Sequence, residues 1–122
     1  MNIGLLDAWI TGMKKAWETR DPQAAADLCS DKGFEYYENP FQEPLTTKEE
    51  VKKVWVEVPK DQSEIEFNYN IMATTKRGGV AHWWVTFYSK AAKKKINLDG
   101  VFAVKLDSRG LCTEFRQWWM KK

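Results

Sequence analysis

Between residues 36 and 41 the chain reads Tyr-Tyr-Glu-Asn-Pro-Phe. Such a run, flanked by aromatics, could form the rim of a pocket with a polar group placed on it. Pro40 steers Asn39 away from helical dihedrals, so a strand-like run ends there. The plain alternative is a turn in which Asn39 satisfies its own backbone. Two residues could accept a proton: His82, the only histidine of the chain, and Asp99, on the penultimate strand. Either would need a place in a pocket and a pKa near neutrality to act as a base. One histidine does not make a metal site, which needs three or four convergent ligands, and no Ser-His-Asp set with readable geometry is present. Neither a metal nor a cofactor is expected.

The elements that must position these groups follow from periodicity. Leu6, Trp9, Ile10, Met13, Ala16 and Trp17 recur at spacings of three and four, which predicts a helix over 3–20. Asp21-Pro22 opens a second, short helix, with Asp21 as cap and Pro22 at its first position. Phe34 to Glu38 reads as a strand. Thr47-Lys-Glu-Glu50 has capping-box spacing, and a third helix follows with Val51, Val54, Trp55 and Val58 on its apolar face, ended by Pro59. The period then changes to two. Phe67, Tyr69, Ile71 and Ala73 alternate with polar residues. Val80 to Tyr88 is apolar on both faces, as in a central strand covered on both sides. Ile96 to Leu106 and Leu111 to Trp119 complete the strands, with turns at 76–79 and 107–110.

The 122 residues suit a single domain over 1–122. Helices gather in the first half and hairpins in the second, an α+β layout with a curved sheet wrapped around helices. Seven tryptophans are an excess for this length; such rings line cavities and interfaces as readily as they fill cores. The net charge of +2 gives no push toward nucleic acid or membrane. The basic run Lys90-Ala-Ala-Lys93-Lys94-Lys95 is expected to be a solvated hairpin connection rather than a nucleic-acid contact, since no basic stripe accompanies it. Cys29 and Cys112 lie far apart without metal-ligand spacing and are expected to be small core residues of a reduced, cytoplasmic protein.

Three stretches carry a resemblance: Arg20-Asp21-Pro22 before a short helix, Glu38-Asn39-Pro40-Phe41, and Leu98 to Phe102 running through Leu106-Asp-Ser-Arg-Gly110 to Trp118-Trp119. Their order resembles the nuclear-transport-factor-2-like (NTF2-like) superfamily, in its SnoaL-like polyketide-cyclase and ketosteroid-isomerase-like branch. The resemblance covers nearly the whole chain and implies a cone-shaped domain. Three N-terminal helices pack on a strongly curved, mostly antiparallel sheet, a pocket opens between them, and the outer sheet face pairs with a second copy. That fold hosts enzymes, binding modules and assembly domains alike.

Residue by residue, the isomerase machinery does not carry over. The position of the helix-1 tyrosine donor is Met13, a thioether that cannot donate a proton. The position of the carboxylate base, immediately before the proline, is Asn39, whose amide is no base near neutral pH. The position of the neutral carboxylic acid on the penultimate strand is Phe102; a slip of three residues would bring in Asp99. A ketosteroid-isomerase mechanism is therefore rejected. The pocket wall implied by the resemblance is Met13, Trp17, Tyr37, Asn39, Trp55, Trp84, Phe102, Phe115, Gln117 and Trp119, with His82 or Asp99 as the only candidate proton acceptors. Alternation along the strand places Tyr37 with Asn39 and Tyr36 with Glu38. Glu38 is expected to point outward, toward Arg116 or solvent. Gln117, between Phe115 and Trp119, needs a partner if buried: a ligand, a water or Asn39. The expected function is binding of a small apolar or aromatic molecule, with isomerase, cyclase or hydrolase-type chemistry left open. The alternative is a non-catalytic dimeric module whose pocket is filled by its own aromatics.

Overall fold

The computed structural model describes residues 3–122. In chain order the elements are α1 (Ile3–Glu18), α2 (Pro22–Asp27), β1 (Glu35–Tyr37), α3 (Lys48–Glu57) with a 3-10 turn (Val58–Asp61), β2 (Gln62–Thr74), β3 (Gly78–Ser89), β4 (Lys94–Leu106) and β5 (Cys112–Lys121). Local chemistry explains most of the boundaries. Asp21 accepts a hydrogen bond from the Ala24 amide at 3.0 Å and caps α2. Thr47 and Glu50 form a complete capping box at the start of α3. Pro59 lies inside the 3-10 turn, so the α-helical ladder has already stopped at Glu57. β2 begins at Gln62, before the alternation that is legible from Phe67. Glu64 has φ of +52° and the pairing register shifts between Ser63 and Glu66, a bulge that hides the period of two.

The sheet order is β1-β5-β4-β3-β2. β1 runs parallel to β5 and the other neighbours are antiparallel. Register shifts on β2 and at the end of β4 bend the sheet around α1. The apolar stripe of α1, from Leu6 to Trp17, is buried against the concave face. Trp9 meets Phe115, and Trp17 meets Phe67 and Trp83, at ring-centroid distances of 5.7, 5.6 and 5.5 Å. Cys29 and Cys112 are buried opposite one another on an isolated parallel bridge, with free thiols. Burial pushes Cys29 up to about 12 and Cys112 well above the ordinary thiol range, so both are inert at neutral pH.

Alternation fixes the two faces. On β3, Ala81, Trp83, Val85 and Phe87 are buried toward the helices, while His82, Trp84, Thr86 and Tyr88 face outward. Gly100 of β4 lies opposite both Trp83 and Trp119. A Cβ there would come within 2.7 Å of Trp83 Cζ2 and 2.4 Å of the Trp118 carbonyl oxygen. The missing side chain makes room for two indoles on the concave side. Gly100→Ala is expected to destabilise the fold by about 1–3 kcal/mol through overpacking, measured by urea unfolding; an unchanged midpoint would show that β4 has slack at this point.

Candidate functional site

A cavity of about 420 Å³ opens between α1, α3, the 3-10 turn and the concave sheet face. Trp17, Trp55, Phe102, Phe115, Gln117 and Trp119 line it. The indoles of Trp17, Trp55 and Trp119 form walls and leave the space open. Trp83, Phe87, Ile96 and Leu98 extend the apolar surface, and Asp61, Ser89, Ala92 and Lys121 stand at its mouth.

The remaining expected wall residues lie elsewhere. Met13 is buried in the α1 stripe, at 1 % exposure, and only the later Trp17 reaches the cavity. Trp84 is on the outer sheet face. Its neighbour Trp83 is the pocket residue, because adjacent strand residues face opposite ways and β3, apolar on both sides, carries no alternation to tell them apart. The signal that could have found Trp83 is Gly100, a glycine cross-strand from an indole. Tyr37 turns outward, its ring 3.9 Å below the Arg116 guanidinium. Asn39 accepts a hydrogen bond from the Phe41 amide at 3.0 Å, so it closes its own turn. His82 and Asp99 pair with each other at 2.9 Å on the outer face, at 38 % and 67 % side-chain exposure. Neither can be a proton acceptor inside this cavity.

Glu38 lines the cavity along with Asp61 and Lys121, which corrects the outward orientation expected from sequence. Alternation correctly couples Tyr36 with Glu38, but the face is set by pairing. β1 lies parallel to β5 with Tyr36 opposite Phe115. Phe115 belongs to the concave row, so Tyr36 does too; their rings stack at 4.3 Å. Two residues on, Glu38 comes beside Gln117. The Gln117 Nε2 donates to the Glu38 carboxylate at 3.1 Å and to its carbonyl oxygen at 3.0 Å. Glu38 is thus the partner of the half-buried Gln117 amide. The Tyr36 hydroxyl accepts from the Trp55 Nε1 at 3.1 Å, which ties α3 to the phenol beside the cavity, and the phenol acts to lower the Glu38 pKa.

Burial pushes Glu38 up to about 7, against the opposing hydrogen bonds from Tyr36 and Gln117. The same desolvation holds the Tyr36 phenol well above its usual range, so it stays a donor. Elsewhere on the wall, Trp17 Nε1 donates to Gln62 Oε1 at 2.7 Å, whereas the buried Trp83 Nε1 has no partner among the described residues. Among those residues no group of three or more His, Cys, Asp or Glu could hold a metal ion, and no helix is long and apolar enough to cross a membrane. The arrangement places one carboxylate, pushed up to about 7 by burial, in a chamber walled largely by aromatic rings.

The raised acid has a consequence for stability. Its folded pKa near 7 exceeds the ordinary value of 4.5, so between these values the folded state holds more protons than the unfolded one. Its contribution is fully present below 4.5 and is lost as pH rises through 7. Glu38→Gln should therefore gain stability relative to the unaltered protein across that window, measured by denaturant unfolding at a series of pH values. Parallel curves for the two proteins would show that Glu38 is not desolvated.

No protein-family model matches the sequence, and no curated protein matches it. Solved structures do match. A structure of SalBIII, an epoxide hydrolase/cyclase-like enzyme in pyran ring formation in polyether salinomycin, aligns with TM-score 0.80 at 6 % identity, covering 98 % of this chain and 93 % of that one. The Δ5-3-ketosteroid isomerase of a Mycobacterium species aligns with TM-score 0.72 at 13 % identity, over 97 % and 98 % of the two chains. An NTF2-like protein of unknown function from Exiguobacterium sp. 255-15 aligns with TM-score 0.72 at 16 % identity, over 92 % and 98 %. Likeness at such identities speaks for architecture, and over nearly the full length of the chain it establishes that this protein has the NTF2-like fold.

Proposed function

We propose that the protein is a proton-transfer enzyme whose cavity holds a small apolar or aromatic molecule and whose Glu38 carries the proton. The observation that supports this most directly is the placement of one carboxylate, titrating near 7, in a chamber walled by aromatic rings. A base is most effective when its pKa lies near the working pH, and enzymes reach that value for glutamate by burial. Near neutrality Glu38 is divided between both forms and can take a proton from a weakly acidic C–H or O–H and return it to another atom of the same molecule. Gln117 holds the carboxylate in place, so little reorganisation is needed when its charge changes.

The reaction classes compatible with one such group are enolisation and double-bond migration, ring closure onto an activated centre, and base-assisted addition of water. The fold neighbours described as a ketosteroid isomerase and an epoxide hydrolase/cyclase-like enzyme lend these classes some weight by analogy. The residues differ from the isomerase pattern. Met13, Asn39 and Phe102 stand where that pattern has its donor, base and acid, and Glu38 here comes from the position before the usual base. In this reading Asn39, His82 and Asp99 take no part in the chemistry.

The outer sheet face is assigned to a second copy of the chain. It exposes Trp84, Tyr88, Trp118 and Met120 at 37, 36, 44 and 78 %, and a two-fold axis would let the same aromatics cover each other in both protomers. Trp84→Glu combined with Trp118→Glu should convert a dimer to a monomer in sedimentation velocity; a monomeric parent protein would overturn this assignment.

The activity test uses a panel of β,γ-unsaturated ketones and aromatic epoxides, with proton exchange into deuterated water as the readout. Turnover is expected to rise with pH around a midpoint near 7. Glu38→Gln should lower it by about 10²–10⁴-fold, while Asn39→Ala and His82→Ala stay within a few fold of the parent. A Glu38→Gln protein as active as the parent would sink the proposal.

A further inference from the structure

The one basic run of the chain, Lys90-Ala-Ala-Lys93-Lys94-Lys95, spans the connection between β3 and β4 and the start of β4, and the exposed Ala92 of that connection lines the Glu38 cavity. Ser89 lines it too, together with Asp61 of the 3-10 turn and the exposed Lys121 at the end of β5. The connection is tied to the 3-10 turn. The Asp61 carboxylate accepts from the Ala91 amide at 2.9 Å and from the Ser89 hydroxyl, and its carbonyl accepts from the Lys90 amide at 3.3 Å. Lys94 is opposite Ser89 and shares the β4 face of the lining residues Ile96 and Leu98, while Lys121 is opposite Leu98. Lys90, Lys93, Lys94 and Lys121 are all exposed. Among the described residues none of the four enters an ion pair within 4 Å, and of the four it is Lys90 that helps lower the Asp61 pKa through its charge. The carboxylate on this rim is Asp61, with Glu57 of α3 nearby, 3.9 Å from Lys60. Cations therefore outnumber anions around the opening, although the chain as a whole carries only +2.

We infer that the molecule this cavity takes is an apolar body bearing an anionic group, a carboxylate, sulfonate or phosphate, that stays outside on the lysine rim while the apolar end enters. The inference rests on reading the cavity as a ligand site. Two opposite pressures set the orientation. Inside, aromatic walls would strip water from an anion without replacing its hydrogen bonds, and the Glu38 carboxylate would repel it. At the mouth, unpaired ammonium groups beside low-dielectric walls attract it and raise its local concentration. The end of the ligand farthest from its own charge is then the end that meets Glu38.

The test compares two fluorescent probes of the same shape, anilinonaphthalene sulfonate and its uncharged parent phenylnaphthylamine, titrated into the intact protein. The anion is expected to bind about tenfold or more tightly at low salt, with the advantage shrinking as salt screens the rim. Lys94→Glu combined with Lys121→Glu should abolish that advantage and leave the neutral probe unaffected. Lys15→Glu combined with Lys53→Glu, on exposed positions of α1 and α3, changes the net charge equally and should preserve it. Should the double reversal at the rim fail to fold, Lys94→Gln with Lys121→Gln serves the same comparison. Equal affinities for the two probes, or equal losses in the rim and control variants, would overturn the anionic-ligand inference while the cavity reading stands on the neutral probe. Failure of both probes to bind would overturn the two together.

Discussion

Three residues of parallel pairing decide which side chains of β1 and its continuation reach the cavity. β1 is only Glu35–Tyr37, laid against Glu114–Arg116 of β5, yet its register sets the direction of Glu38. With Tyr36 beside Phe115, the phenol is carried onto the concave face and the carboxylate follows it two residues later. A shift by one residue would send both outward and bring Tyr37 and Asn39 inward. The pairing is secured from several sides. Tyr36 stacks on Phe115, exchanges backbone hydrogen bonds with Leu45 at 2.8 and 2.9 Å, and accepts from the Trp55 indole. The short strand is anchored by its side chains more than by its length.

Placing a carboxylate in an aromatic chamber is unfavourable, and the molecule tolerates it in two ways. The hydrogen bonds from Tyr36 and Gln117 replace part of the lost hydration, and protonation near neutrality removes the charge when solvation fails. The aromatic walls are themselves fixed by ring contacts. Trp17 meets Trp55 edge-on at 5.4 Å, and Trp83 stacks on Phe102 at 5.2 Å. Such packing keeps the cavity open because each indole is held against its neighbours rather than free to collapse inward. Gly100 belongs to the same device, since a side chain there would collide with Trp83.

The sheet separates two chemistries. Its concave side bounds a largely aromatic cavity that Glu38 faces. Its convex side combines exposed aromatics with the His82–Asp99 pair, which remains in water. The cavity mouth lies at the end where the β3–β4 connection, the 3-10 turn and the end of β5 meet, and lysines are concentrated there. One end of the molecule therefore differs electrostatically from the rest, although the nearly balanced composition conceals it.

The sequence by itself determined the features that depend on neighbours in the chain. The Asp21 cap, the Thr47–Glu50 capping box, the α1 stripe and the turn at Asn39 all rest on contacts within a few residues, and each is legible as written. The order of elements, and with it the resemblance to the NTF2-like fold, follows from these. Relative parity was also legible: Tyr36 and Glu38 share one face, Trp83 and Trp84 take opposite faces. The absolute face was not, because a period of two says which residues go together and not which side is inside. For Glu38 that choice was made by the pairing of Tyr36 with Phe115 on β5, and for Trp83 by Gly100 on the neighbouring strand. Tertiary pairing also placed His82 and Asp99 outside and brought the lysine run to the cavity mouth. The site is a property of register, and register is set between segments distant in the chain, where local patterns carry no information.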